Sequence, residues 1–189
     1  GGNLAVDKEG IAKAARVAQI PMWNAYYFFT LYANAEGYQA KEVSGSSEAI
    51  DNYILSKLKR LSRIVKQGLD TYDVALSCNE VASFMEILNN WYIRRTRDRF
   101  WSGDQQAFDV LYTVLVNLSK IMAPLMPFLC EYVYKNLTGG ESVHLADYPQ
   151  LENIKLDETL VDEMDFLQDL CSAGKFIREE KNLRNRLPL

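Results

Sequence analysis

Four arginines fall within six positions of the run Asn89-Asn90-Trp91-Tyr92-Ile93-Arg94-Arg95-Thr96-Arg97-Asp98-Arg99-Phe100-Trp101, which carries a tryptophan near each end. On a helix advancing about 100° per residue, Asn90, Arg94, Arg97 and Trp101 fall within roughly 60° of one another, and Arg95 and Arg99 form a neighbouring stripe. The planar guanidinium stays charged and offers paired donors to a phosphate, and a ring beside it offers a platform for an unstacked base. This combination suits a reader of single-stranded or loop RNA. A second basic run, Lys57, Lys59, Arg60, Arg63 and Lys66, is placed to extend the same phosphate track. A plainer reading stands beside this one: helix arginines pair with acids in solvent, tryptophans fill cores, and Asp98 neutralises part of the cluster. Spacing alone leaves both open.

Other chemistries find little support. The one histidine, His144, and the three well-separated cysteines, Cys78, Cys130 and Cys171, make neither a zinc-ligand spacing nor a disulfide framework. There is no nucleophile–base pair and no Gly-x-x-x-x-Gly-Lys phosphate loop. No catalytic residue and no metal site is expected, and Glu131 and the acids near the C-terminus read as packing and solvation features. The net charge of −4 is unevenly spread: residues 57–99 hold nine Lys or Arg against five acids, and residues 141–169 hold nine acids against one lysine. An acidic chain can therefore still present a basic face. With no apolar run of about 18 residues and no secretory signal pattern, the expectation is a soluble, cytoplasmic protein with no membrane partner.

Apolar residues recur at helical spacing almost throughout, which predicts an all-α fold. A short helix is expected from about Asp7 to Gln19, followed by an aromatic one opened by Pro21 and ending near Gly37. Ser46 or Ser47 is the expected cap of a helix burying Ile50, Ile54, Leu58, Leu61 and Val65, with Gly68 and Asp70 near its end. Asp73 would cap a third helix, with Val74, Val81, Met85, Leu88 and Tyr92 inward, reaching Trp101. The fourth starts near Asp104 and carries Leu111, Leu115, Leu118 and Met122 until Pro124 and Pro127 break it, with a further turn or two up to Gly139. Ser142 to Pro149 reads as extended, and an acidic helix follows from about Asp157 to Glu180. These elements predict an antiparallel bundle over residues 1–140 and a C-terminal extension over 141–189 that ends in a long helix.

Several segments closely resemble isoleucyl-tRNA synthetases of the subgroup shared by eukaryotic and some bacterial enzymes. They are residues 90–101; Ile20-Pro21-Met22-Trp23-Asn24-Ala25-Tyr26-Tyr27-Phe28-Phe29 with Leu31-Tyr32-Ala33-Asn34; Ala123-Pro124-Leu125-Met126-Pro127-Phe128; Ser142-Val143-His144-Leu145-Ala146-Asp147-Tyr148-Pro149; and Arg184-Asn185-Arg186-Leu187-Pro188-Leu189. The resemblance covers essentially the whole chain in order. It implies the helical bundle of the class Ia anticodon-binding domain, receiving the anticodon stem-loop of isoleucine tRNA while catalytic and editing domains of the same enzyme act elsewhere. In the related methionine enzyme an asparagine of the first bundle helix and a tryptophan contact the anticodon, and Asn24 and Trp101 resemble these. The tRNA-binding set implied is Asn24, Asn90, Trp91, Arg94, Arg95, Arg97, Arg99 and Trp101, with Lys57 and Arg60 beside it. ATP and magnesium would serve the parent enzyme, with no cofactor in this stretch. The class I motifs His-x-Gly-His and Lys-Met-Ser-Lys-Ser are absent from it, so the chain alone is expected to be non-catalytic.

The ending at Arg-x-Arg-x-Pro-Leu implies continuation in the family, and the last helix is expected to leave part of its apolar stripe exposed. A valine or leucine enzyme is the near rival, disfavoured by the two long motifs. A helical protein-interaction module is the distant one, and salt dependence separates it, because phosphate binding weakens steeply with salt.

Overall fold

A proline inside a helix removes one backbone donor and crowds the carbonyl four residues back, so Pro21 was expected to divide the N-terminal region into two helices. In the computed structural model, which describes residues 8–184, one continuous helix, α1, covers residues 8–36 instead. It is α-helical over Lys8–Ala14, π-helical over Ala15–Gln19 and α-helical over Ile20–Glu36. The wide π turn, in which Ile20 N–H reaches Ala15 O, absorbs the proline without a break. The expected start at Asp7 lies outside the described residues, as does the Asn185–Leu189 end of the C-terminal motif.

The second helix, α2, is Ala49–Asp70. Neither Ser46 nor Ser47 caps it: Glu48 stands at the cap position without a side-chain bond, and the Ser46 hydroxyl donates to Asp51 at 2.7 Å. Helix α3 covers residues 74–101, with a π-helical turn over Ile87–Ile93 between Val74–Glu86 and Arg94–Trp101. The Asp73 carboxylate accepts from Leu76 N–H, as expected of its cap. Val74, expected inward, is exposed at that first turn, whereas Val81, Met85, Leu88 and Tyr92 are buried. Helix α4 is Gln105–Met122, capped by Asp104, and α5 is Pro127–Thr138. A 3-10 turn, Val143–Leu145, interrupts the segment expected to be extended; Glu131 pins it by accepting from Val143 N–H at 2.8 Å and Ser142 Oγ at 3.0 Å. No strand occurs among the described residues.

Helices α1 to α4 run up, down, up, down. Phe28 meets Phe100 and Tyr32 meets Trp101, so α1 and α3 advance in the same direction. Asp51 meets Arg99 while Gly68 meets Ser77, so α2 opposes them. The rings of Phe29, Phe100 and Phe108 join α1, α3 and α4 in the core. The α1–α2 connection is held along α4 by Tyr38 Oη and Lys41 N–H donating to Asp109 and by Val43 N–H donating to Thr113.

Gly68 lies in the last turn of α2, which ends at Asp70 as expected, and it sets how closely α2 approaches α3. A Cβ there would stand 2.4 Å from Ser77 Oγ and 2.9 Å from the Asp73 carbonyl. Gly68→Ala improves helix propensity by about 1 kcal/mol, but the clash includes fixed backbone. A net loss of about 1–2 kcal/mol is expected in urea unfolding; a variant at least as stable as the parent would show that the two helices can part freely.

The compact unit extends through Leu156, past the boundary expected at residue 140. The reason is Lys59, which was expected to face mostly away from the core. It is buried, and its Nζ donates to the carbonyls of Glu152 and Ile154. Ser62 Oγ donates to the Pro149 carbonyl and Tyr148 Oη to the Ser62 carbonyl, so residues 148–155 are strapped along α2. The second unit begins at Asp157, which caps helix α6, Glu158–Glu180, through Leu160 N–H. Phe166, Leu167, Leu170, Phe176 and Ile177 of α6 are exposed.

Candidate nucleic-acid interface

The arginine-rich end of α3 emerges from a buried ionic anchor. Asp51 is fully buried on α2 and receives a two-pronged pair from Arg99, Nη1 at 2.8 Å and Nη2 at 3.0 Å. Tyr92 Oη donates to the same carboxylate at 2.9 Å, and Arg99 Nε donates to Asp104 at 2.7 Å. Burial works against the Arg99 charge, but its bonds to Asp51 and Asp104 outweigh this and raise its pKa above the ordinary value. Burial first, and then the Asp51 charge, push the Tyr92 phenol well above its usual range. Arg99 was expected on the RNA-facing surface with Arg95. The structure turns it inward instead, because its stripe of α3 faces α2, where Asp51 waits.

Partial burial pushes the Asp104 carboxyl up, but the Arg99 guanidinium and the Ala107 and Gln106 amides more than offset this and hold it below its usual value. A depressed carboxyl stabilises the fold above its unfolded value of about 3.9 and loses that contribution as pH falls through the lowered folded value. Asp104→Asn keeps a capping side chain but removes the charge. The gap in melting temperature between parent and variant is therefore expected to hold from neutral pH to about 5 and to close progressively in more acid solution. A gap of constant size down to the acid limit would contradict this.

On the outward side, Asn90, Arg94, Arg97 and Trp101 are all exposed, Trp101 by 76%. The expected line therefore exists. Among the described residues neither Arg94 nor Arg97 has a hydrogen-bond or ion-pair partner, and Asp98, the nearest acid in sequence, pairs with neither. Arg95 and Trp91 form a unit of their own on the α2 side. The Arg95 guanidinium lies 3.5 Å from the Trp91 ring centroid and occupies that face, and Trp91 Nε1 is buried without a protein acceptor. Lys57 stands 5.9 Å from the Tyr53 ring, Arg60 is exposed, and both have further intramolecular partners. These two lie on α2, apart from the Asn90–Trp101 line.

Asn24 and Asn90, 66 positions apart by subtraction of their numbers, line one groove of about 500 Å³ between α1 and α3. Its walls include Arg16, Val17, Pro21, Met85 and Asn89. Residues of both π turns contribute, Arg16 and Val17 from one and Asn89 and Asn90 from the other. The side chains of Asn24 and Asn90 make no hydrogen bond among the described residues, so both amides remain available to a ligand. Sequence reasoning missed Arg16 and Asn89, since nothing in either helix alone signals that its wide turn will border a groove shared with the other. At the far end of the line the Trp101 ring stands 6.4 Å from Tyr32 of α1.

A surface with unpaired arginines, free amides and an exposed indole has the physical character of an RNA-loop contact, and comparison with known proteins places the fold in the same setting. The family model "Anticodon-binding domain of tRNA ligase" matches residues 51–189. The chain belongs to this family of tRNA-ligase anticodon-binding domains. Over its whole length it is 44% identical to an isoleucine–tRNA ligase of Leifsonia xyli, 46% to one of Corynebacterium efficiens and 42% to one of Mycobacterium leprae. It spans 17% of the first relative and 18% of the other two. Among the described residues no helix is long and apolar enough to cross a membrane.

Proposed function

We propose that the chain is the part of an isoleucine–tRNA ligase that receives the anticodon stem-loop of isoleucine tRNA. The observation that carries this reading is the exposed line Asn90, Arg94, Arg97 and Trp101 on α3, with unpaired charges and with Asn24 of α1 beside it. Arg94 and Arg97 engage backbone phosphates and position the RNA; Trp101, Asn24 and Asn90 meet loop bases and supply discrimination. Arg95, held over the Trp91 ring, contributes charge at the edge of the surface, and Lys57 and Arg60 add to the field along α2. Arg99 acts through Asp51 as an anchor for the line. Aminoacylation, with ATP and magnesium, belongs to the catalytic part of such a ligase, and editing to another part; both are partners of this domain within one enzyme.

The test is a titration of the chain with isoleucine and methionine anticodon stem-loops at two salt concentrations. The isoleucine loop is expected to bind more tightly, and Trp101→Ala to remove most of that preference. Equal affinity for both loops, unchanged by Trp101→Ala, would overturn the assignment of discrimination to this surface.

A further inference from the structure

From residue 17 through residue 35 the chain has no Asp, Glu, Lys or Arg, yet this stretch forms a helix with one side in solvent. Met22, Ala25, Tyr26, Phe29 and Ala33 face the core, while Ile20, Trp23, Tyr27 and Leu31 face outward and are between 42% and 57% exposed. A helix that is apolar all round normally has something covering its outer side. Five of its six aromatic rings already pack against other rings: Trp23 and Tyr26 against Tyr132, Phe28 against Phe100, Phe29 against Phe108, and Tyr32 against Trp101. Tyr27 is the sixth, 57% exposed, with no ring neighbour among the described residues.

We propose that Tyr27 is a second base-stacking platform, on which one unstacked base of the RNA loop lies while Trp101 carries another. This rests on the reading of the chain as an RNA-loop binder and deepens it. Asn24 precedes Tyr27 by three positions, on the same side of α1, and its free amide can meet the edge of a base stacked there. Tyr27 lies five residues from Tyr32, about 7–8 Å along the helix axis and about 140° around it. Tyr32 touches Trp101, so the two platforms stand on different sides of α1, and a loop that reaches both must pass over the side that carries Asn24.

Charge favours RNA as the occupant. The uncharged row adjoins the unpaired Arg94 and Arg97 through the two places where α3 meets α1, the Asn24–Asn90 groove and the Tyr32–Trp101 contact. An aromatic row beside a cationic row is the arrangement that binds single strands, with bases on rings and phosphates on arginines.

The experiment uses isoleucine anticodon stem-loops with 2-aminopurine at each loop position in turn, titrated into the chain and into Tyr27→Ala, Tyr27→Phe and Trp101→Ala. Tyr27 and Trp101 are both exposed, so all variants are expected to keep the parent melting temperature. In the parent, two loop positions are expected to be quenched by stacking. Tyr27→Ala is expected to release one position and weaken binding about tenfold, Tyr27→Phe to preserve both effects, and Trp101→Ala to release the other position. If the parent binds and Arg94→Ala weakens it, but Tyr27→Ala binds and quenches like the parent, the platform is disproved and the RNA reading stands; the row is then a protein contact. If the parent binds no stem-loop at all, the RNA reading fails and the platform with it.

Discussion

Arg99→Ala is expected to destabilise the bundle by about 3 kcal/mol, whereas Arg94→Ala, five positions away on the same helix, should stay within about 0.5 kcal/mol of the parent. The difference follows from the surroundings and not from the residue type. Removing Arg99 leaves the Asp51 carboxylate in a fully buried site with only Tyr92 and Ser46 hydroxyls as donors. An uncompensated buried charge of this kind is among the largest single-residue penalties, and part of it is relieved because the Arg99 side chain is 22% exposed and solvent can follow it in. Removing Arg94 leaves nothing behind, since it has no partner. Urea unfolding of the two variants measures the contrast, and a difference below about 1 kcal/mol would show that the Asp51–Arg99 pair does not secure α3 to α2.

The order reverses for RNA. The double variant Arg94→Ala, Arg97→Ala is expected to unfold like the parent, yet to lose most of its affinity for any stem-loop and to lower the salt slope by about one for each arginine. Loop preference should survive in what affinity remains, because phosphate contacts position the RNA without reading it. A double variant whose salt slope equals that of the parent would place the phosphate track elsewhere. In that case Arg63, Lys66 and the other cations of α2 would be the next to test, although Lys66 is already paired with Asp70.

The two results together separate arginines that the linear sequence presents as equivalent. All four of the cluster lie within six positions, and helical geometry divides them only into two stripes. Arg95 meets Trp91 one turn back on its own helix, but that Arg99 meets Asp51 while Arg94 and Arg97 meet solvent depends on where α2 lies.

Local chemistry determined much of this protein directly. Helical periodicity, the Asp73 and Asp104 caps and the break at Pro124 and Pro127 define the elements, because each acts within one or two turns of its own position. That Asn90, Arg94, Arg97 and Trp101 share one helix face was likewise legible from the repeat, although whether that face is open was not. Contacts between distant parts of the chain were not legible. Lys59 looked like one more cation of a solvated face, and burial became favourable for it only when two carbonyls from residues 152 and 154 arrived to receive its ammonium. Pro21 looked like a helix start, and the π turn before it made it an interior residue. The groove that joins Asn24 to Asn90 exists only because α1 and α3 lie parallel, and the ring of Tyr27 is bare beside five packed ones because α3, α4 and α5 cover the other sides of α1. Sequence determines which side chains can share a helix face, since that requires only the helical repeat. Which of those faces meets a partner, and which stays open for a ligand, is decided by helix packing, since burial, charge pairing and vacant hydrogen-bond capacity are properties of the neighbours.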